Sequence, residues 1–228
     1  MRTEVSGTDV LTVLREQGTG PVSDALDLAG INGGLAGLAR VSGSGTVAGP
    51  AFTLRFEPVE AGEKAAAAEF IDDVPPGAVV LIANAGRTHC TVWGDILAGV
   101  AVSRGIAGTV IDGACRDVDD IRALDYSLWS RASYMKSGKN RVRLAEVQEP
   151  VTVCGVTVGP GDLVCADGAG AVVVPAGVAE SVTERVVRIA EMEALVRADL
   201  EQGVSLREAR RRRGYNQVGL QPAGRAGS

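Results

Sequence analysis

Asp95 is followed by 20 residues and then by the pair Arg116-Asp117. The bracketing text is Trp93-Gly94-Asp95-Ile96-Leu97 at one end and Ile111-Asp112-Gly113-Ala114-Cys115-Arg116-Asp117 at the other. Two carboxylates and a guanidinium brought together form a set that can hold a hydrated divalent cation, bind a small oxo acid and move a proton. The intervening residues supply the means of bringing them together. Ile96 to Ser103 reads as an apolar helix, Gly105 as its stop, and Gly108 to Asp112 as a buried strand. A helix followed by a strand returns the chain to the edge it left.

Each aspartate also has a plain structural explanation. Asp117 opens Asp117-Val118-Asp119-Asp120 after a strand, and Asp95 follows Gly94 at the head of a helix. Two independent helix N-caps would account for both. What the caps leave unexplained is Arg116 beside Asp117 at this separation from Asp95.

The Asp-x20-Arg-Asp spacing, with Gly94 before the first Asp, resembles the class II pyruvate aldolases that cleave 4-hydroxy-4-methyl-2-oxoglutarate. The same superfamily contains the regulators of ribonuclease activity A. The resemblance runs from Val22-Ser23-Asp24-Ala25-Leu26 through Pro160-Gly161-Asp162 and Ala166-Asp167-Gly168 to Gly203-Val204-Ser205-Leu206. It implies an α/β protein with a single-domain swivelling β/β/α sandwich, assembled as a homotrimer or hexamer. It also implies a metal, Mg²⁺ or Mn²⁺, held at Asp117. Magnesium keeps several waters, so one direct carboxylate is sufficient and no histidine cluster is needed.

The chemistry implied is retro-aldol cleavage of a 4-hydroxy-2-oxo acid or decarboxylation of oxaloacetate. Both leave a pyruvate enolate whose negative charge needs an electrophile. Arg116 is the expected cation at the enolate or carboxylate oxygens. Gly94, Asp95, Ile96 and Leu97 offer backbone amides at a helix N-terminus for the substrate carboxylate. Asp95 is expected to orient or deprotonate a metal-bound water that takes or delivers the proton. A Schiff-base route would need a desolvated lysine, and Lys64, Lys136 and Lys139 lie in polar or turn-rich sequence. Ahead of Asp95 the chain departs from its relatives. It carries Ala85-Gly86-Arg87-Thr88-His89 where a Gly-Gly-Asn type turn is common, so Arg87 and His89 are expected either as solvated loop residues or as contacts to the distal part of the substrate. Two other readings stay open: a non-catalytic regulator that binds a ribonuclease, and a biosynthetic enzyme with the same metal site and another substrate.

Bulk properties describe an ordinary globular chain. The 228 residues are 46% hydrophobic and 22% charged, with a net charge of −5. A negative balance argues against nucleic acid as the main ligand. No apolar run approaches the roughly 20 residues that span a bilayer, and Met1 to Val5 lacks the apolar core of a signal peptide. A cytoplasmic protein is expected. Cys90, Cys115, Cys154 and Cys165 show no C-x-x-C spacing and read as free buried thiols. The glycines of Gly43 to Gly49 have the wrong spacing for a dinucleotide loop, and Arg210 to Arg213 reads as the solvated cationic end of a helix.

The remaining elements read in order. Thr8 to Gln17 and Pro21 to Ala29 are short helices, Thr46 to Phe56 a strand, Glu60 to Ile71 an Ala-rich helix and Ala78 to Ala83 an apolar strand. A short helix follows from Asp117 to Leu124. Short strands and turns occupy Ser127 to Val174, with turn signals at Gly138-Lys139-Asn140, Gly159-Pro160-Gly161 and Asp167 to Gly170. A long helix covers Gly177 to Gln202, and a last one Ser205 to Arg213. One domain over residues 1–216 is expected, with a flexible tail over 217–228. Trp93 and Trp129 are expected in the core or at a subunit contact.

Overall fold

The computed structural model describes residues 9–60, 64–65 and 69–215. Its centre is four parallel strands in chain order: Val47–Pro58 (β2), Val79–Trp93 (β3), Gly108–Cys115 (β4) and Leu128–Ser133 (β5). Side chains alternate between the two faces of a strand, and this sequence uses both faces. On β3, Val79, Leu81 and Ala83 join one core cluster while Val80 and Ile82 join another. Near-continuous apolar runs are what a sheet covered on both sides requires.

Two crossovers cover the first face. Asp95–Ser103 (α3) joins β3 to β4, and Val118–Ala123 (α4) joins β4 to β5. Their Ala98, Ala101 and Ile121 pack with Leu54, Ile82, Ile111 and Leu128. The opposite face is covered by a hairpin of Val151–Val153 (β7) and Val156–Val158 (β8), whose valines pack with Leu35, Val110 and Trp129. The result is hairpin, sheet and helices in layers, the expected β/β/α sandwich.

Antiparallel strands extend the sheet. Ala39–Ser42 (β1) pairs with β5. The first part of β2 takes Leu163–Ala166 (β9), which in turn pairs with Ala171–Val174 (β10). Its second part takes Val142–Val147 (β6). Over the β9–β10 end lie Val10–Gln17 (α1), Thr19–Leu28 (α2) and Ala179–Glu201 (α5), burying Leu14, Val22, Leu26, Val182 and Val186 together. The final helix, Leu206–Arg213 (α6), packs back on α5. No helix among the described residues is long and apolar enough to cross a membrane.

Several local expectations are corrected. The strand expected to stop at Ala83 runs to Trp93, absorbing Ala85 to His89 through register jumps against β4 after Ala83 and Arg87. Ala85 and Gly86, at φ 49° and 68°, make the first excursion possible. The helix expected over Glu60 to Ile71 lies partly outside the described residues. Within them Ile71–Asp73 is a single 3₁₀ turn. Helix α1 begins at Val10, capped by Asp9, whose carboxylate accepts the Leu11 amide; Thr8, the expected start, lies outside the described residues. The arginine run is not simply solvated. Arg211 and Arg212 pair with Glu208, Arg213 with Asp199, and Arg210 lies over the Tyr215 ring. Those partners hold the Glu208 carboxyl down at about 2. The tail expected over 217–228 falls outside the described residues.

The apolar stripe of α5, which suggests assembly when seen in isolation, is largely consumed inside the chain by α1 and α2.

Candidate active site

The carboxyl ends of adjacent parallel strands are where open α/β sheets place ligands, and both halves of the Asp-x20-Arg-Asp signature sit there. Asp95 is the first residue of α3, directly after β3 and Gly94. Arg116 and Asp117 follow β4, the Arg116 amide donating to the Trp93 carbonyl at 3.0 Å. That bond ties the two strand ends together.

Neither aspartate behaves as a simple cap of its own helix. The N-cap of α3 is Gly94. Asp117 occupies the N-cap of α4 in a left-handed conformation, φ 54° and ψ 41°, and makes no capping hydrogen bond there. Its Oδ2 instead accepts the Asp95 amide at 3.4 Å and lies 3.1 Å from Arg116 Nε. A non-glycine residue in that region costs free energy and persists where surrounding contacts over-determine it. Here the contacts are those of the site.

Gly94 explains how the three groups come so close. A Cβ built on it would stand 2.6 Å from Asp117 Oδ2 and 3.2 Å from Arg116 Nε. Its own φ of −150° is ordinary extended backbone, so glycine is required for space and not for conformation. The cradle suits a small hydrated cation. Asp117 is a hard oxygen donor, about 30% exposed at its side chain, and only one of its oxygens has a protein partner among the described residues. No group of three or more His, Cys, Asp or Glu residues is arranged to hold a metal among the described residues. A single carboxylate with waters fits Mg²⁺ or Mn²⁺ and does not fit a dehydrated all-protein cage.

Arg116 is about 37% exposed at its side chain. Its Nη1 and Nη2 have no partner among the described residues, which leaves the outer edge of the fork for a ligand. The amides of Ile96 and Leu97 begin a nine-residue helix and have no intrahelical acceptor. Beside these groups opens a cleft of about 250 Å³, lined by Asp95, Arg116, Phe56, Phe70, Val92, Trp93, Leu97 and Val142, with Thr91, Ser137 and Lys139 among the polar residues. Gly94 to Leu97 all line it, so Asp95, Ile96, Leu97 and Arg116 share one space.

Arg87 and His89 do not join them. Arg87 Nη1 donates to the carbonyls of Phe56 and Asn84 and to Asn84 Oδ1, locking the β3 excursion, and neither residue lines the cleft. His89 is exposed. Lys139 does line the cleft, but it is exposed and lacks the desolvation a Schiff-base lysine needs. Cys115 is buried towards the helix-covered core, and burial pushes its thiol up, away from a nucleophilic role. The four cysteines are free, three of them buried and Cys154 half-buried.

Sequence reasoning passed over Asp112. It is 5% exposed, accepts a short bond from Arg131 Nε and a 3.1 Å bond from the Cys154 amide, and so pins the β7–β8 turn to the sheet. The only sequence signal was a charged residue inside an apolar strand. The cleft wall was missed as well, since Phe56, Phe70 and Val142 come from distant parts of the chain.

A layered α/β fold with Asp95, Arg116 and Asp117 gathered at its strand ends beside a cleft is the class defined by these features. Residues 19–173 match the RraA-like family, described as Aldolase/RraA, and the chain belongs to it. It is 31% identical over 177 residues to a protein of Halalkalibacterium halodurans named "Putative 4-hydroxy-4-methyl-2-oxoglutarate aldolase", covering 78% of this chain and 81% of that one. It is 40% identical over 201 residues to Protein DlpA of Legionella pneumophila, covering 87% of this chain. The chain spans only 33% of DlpA's length. Among solved structures, Streptomyces coelicolor RraAS2, described as an unusual member of the RNase ES inhibitor RraA protein family, superposes with a TM-score of 0.76 at 28% identity. That match covers 86% of this chain and 99% of RraAS2. The shared architecture is a mixed α/β domain with a curled sheet.

Proposed function

We propose that this protein is a divalent-metal-dependent carbon–carbon lyase that cleaves a 4-hydroxy-2-oxo acid to pyruvate and decarboxylates oxaloacetate. The observation that carries the reading is the meeting of Arg116, Asp117 and the Asp95 amide around a glycine whose missing side chain leaves the space between them, beside a cleft that Asp95 and Arg116 line and Asp117 does not. A docking surface for a ribonuclease requires no such arrangement, although regulators occur among the relatives.

Asp117 would hold the cation, Mg²⁺ or Mn²⁺. When bound, it supplies the Lewis acidity that favours negative charge on the substrate's C2 oxygen. The chain's own groups do the rest. The amides of Ile96 and Leu97, at the positive end of α3, orient the substrate carboxylate. The free edge of Arg116 stabilises charge as it develops on the enolate oxygen. In the retro-aldol direction the C3–C4 bond breaks, its electron pair becomes the enolate, and the C4 hydroxyl proton passes to Asp95 directly or through one water. In decarboxylation the breaking bond releases CO₂ and leaves the same enolate, which takes a proton at C3.

The partners proposed are a small 2-oxo acid and further copies of this chain, in a trimer or hexamer. Ile96 and Met135, each 75% exposed, are apolar side chains available to such a contact, Ile96 at the cleft itself. A cytoplasmic location is part of the same proposal.

The test is pyruvate formation from oxaloacetate, followed with a lactate dehydrogenase couple. Activity above the spontaneous rate is expected with Mg²⁺ or Mn²⁺, and its loss after chelation, with recovery on adding metal back. Full activity in metal-stripped protein under excess chelator would refute the metal-dependent mechanism.

A further inference from the structure

The cleft, of about 250 Å³, extends well beyond what a pyruvyl unit needs, and most of its lining is apolar. Asp95, Arg116 and the first amides of α3 supply the polar groups of the lyase reading. The remaining wall is largely Phe56, Phe70, Val92, Trp93, Leu97 and Val142. Five of these are less than a tenth exposed, Leu97 being the exception. Phe56 and Phe70 meet edge to face at 6.5 Å, and Trp93 is stacked on Tyr126 at 6.0 Å. Interlocked rings of this kind make a wall of fixed shape.

From this wall we infer the substrate class: 4-hydroxy-2-oxo acids whose C4 substituent is apolar and about the size of a six-membered ring. The inference rests on the lyase reading above and specifies its variable end. Size supports it first. A cavity of roughly 150 Å³ lined by aliphatic and aromatic side chains accommodates benzene, and this cleft offers about 250 Å³ for the ring and the pyruvyl unit together.

Polarity supports it second. The Thr91 hydroxyl already donates to the Lys136 carbonyl at 3.3 Å, and Ser137 Oγ accepts the Lys139 amide at 3.1 Å. Beyond Arg116, the cation lining the cleft is Lys139, which is exposed. A second substrate carboxylate pressed against the Phe56 and Phe70 faces would be desolvated there, which is costly, and would find donors only at Trp93 Nε1, Ser137 or Lys139. An apolar group there loses nothing and releases water from the wall.

The experiment compares kcat/KM for three aldols and oxaloacetate. The aldols are 4-cyclohexyl-4-hydroxy-2-oxobutanoate, 4-hydroxy-2-oxopentanoate and 4-hydroxy-4-methyl-2-oxoglutarate. Cyclohexyl and methyl are both saturated alkyl groups, so their ratio reports binding of the substituent. Filling such a pocket is expected to favour cyclohexyl by about tenfold or more, given what a single methylene can contribute. Val142→Phe, which places a ring in the cleft, should bring the cyclohexyl-to-methyl ratio close to one. A ratio within one preparation is independent of the fraction folded. If Val142→Phe fails to fold, the wild-type ratios decide alone. Equal or reversed preference in the wild type, or better turnover of the dicarboxylate than of the cyclohexyl compound, would overturn the assignment while leaving the lyase reading intact. So would an unchanged ratio in folded Val142→Phe. No turnover of oxaloacetate or of any aldol, with metal present, would remove the lyase reading and this inference with it.

Discussion

The Asp117 carboxylate, at the head of α4, reaches across to the amide of Asp95 at the head of α3, 3.4 Å away. A negative group at the start of a neighbouring helix is favourable, because the first amides carry the positive end of the helix dipole. The same contact joins the carboxyl ends of β3 and β4 at the point where the cleft opens. Structural stabilisation and site assembly thus use one oxygen. The two can be separated by substitutions that act on space, on charge geometry or on distant packing.

Gly94→Ala acts on space. The added methyl would meet Asp117 Oδ2 at 2.6 Å and Arg116 Nε at 3.2 Å, on a backbone that alanine adopts without strain. Both contacted groups are side-chain ends and can move. Thermal stability should change little, while turnover of oxaloacetate falls by roughly 10- to 100-fold, since displacement of about 1 Å at a reacting centre is enough for that. Paired melting and rate measurements check it, and unchanged turnover would mean the cradle is not used.

Arg116→Lys acts on charge geometry. An ammonium keeps the charge and loses the planar fork. If Arg116 stabilises the enolate oxygen, turnover should drop by about 10²- to 10³-fold with a smaller effect on KM. Its side chain is about 37% exposed, so stability should stay within about 0.5 kcal/mol. Steady-state kinetics on oxaloacetate decide, and near-normal turnover would take Arg116 out of the mechanism.

Asp112→Asn acts on packing away from the cleft. It removes the charge facing Arg131 and weakens the bond from the Cys154 amide. Breaking a fully buried pair costs about 3–5 kcal/mol, and partial exposure of Arg131 reduces that to roughly 2. Urea unfolding should show the loss. Turnover per folded molecule should be close to wild type, because Asp112 does not line the cleft.

Asp167 gives a pH signature. Burial alone would raise its pKa, but the Thr19 and Ala169 amides and the Thr19 hydroxyl outweigh that and lower it. A folded-state pKa below the unfolded value of about 3.9 stabilises the fold above that pH, and the stabilisation is lost as pH falls through the folded value. Asp167→Asn should therefore cost about 1–2 kcal/mol at neutral pH, with the gap to wild type narrowing below about pH 4. A gap constant from pH 7 to pH 3 would contradict the assignment.

Local pattern was enough to determine the rhythm of this chain and the likeness of its site. Apolar runs of helix and strand length between Asp95 and Asp117, closed by Gly105, dictate a β-α-β return whichever protein contains them. Family membership was legible for the same reason: it is written in residue types at fixed separations. Strand ends were less legible. Ala85 to His89 looks like a loop because its residues are polar, yet the chain stays in the sheet by bulging, which periodicity does not encode.

Only the tertiary structure decided what the site's neighbours do. Arg87 and His89 stand near Asp95 in the chain, but the β3 excursion turns Arg87 onto Asn84 and Phe56 and leaves His89 outside the cleft. Phe56, Phe70 and Val142 are far apart in sequence and form one wall, because β2 pairs with β6 and lies beside β3. In the sequence Asp117 reads equally as the cap of its own helix, whereas in the fold its carboxylate reaches the head of the preceding helix, α3. Spacing along a chain specifies local geometry, whereas strand order and register are set by burial of both sheet faces at once. The residues that surround a reacting group are chosen at that second level.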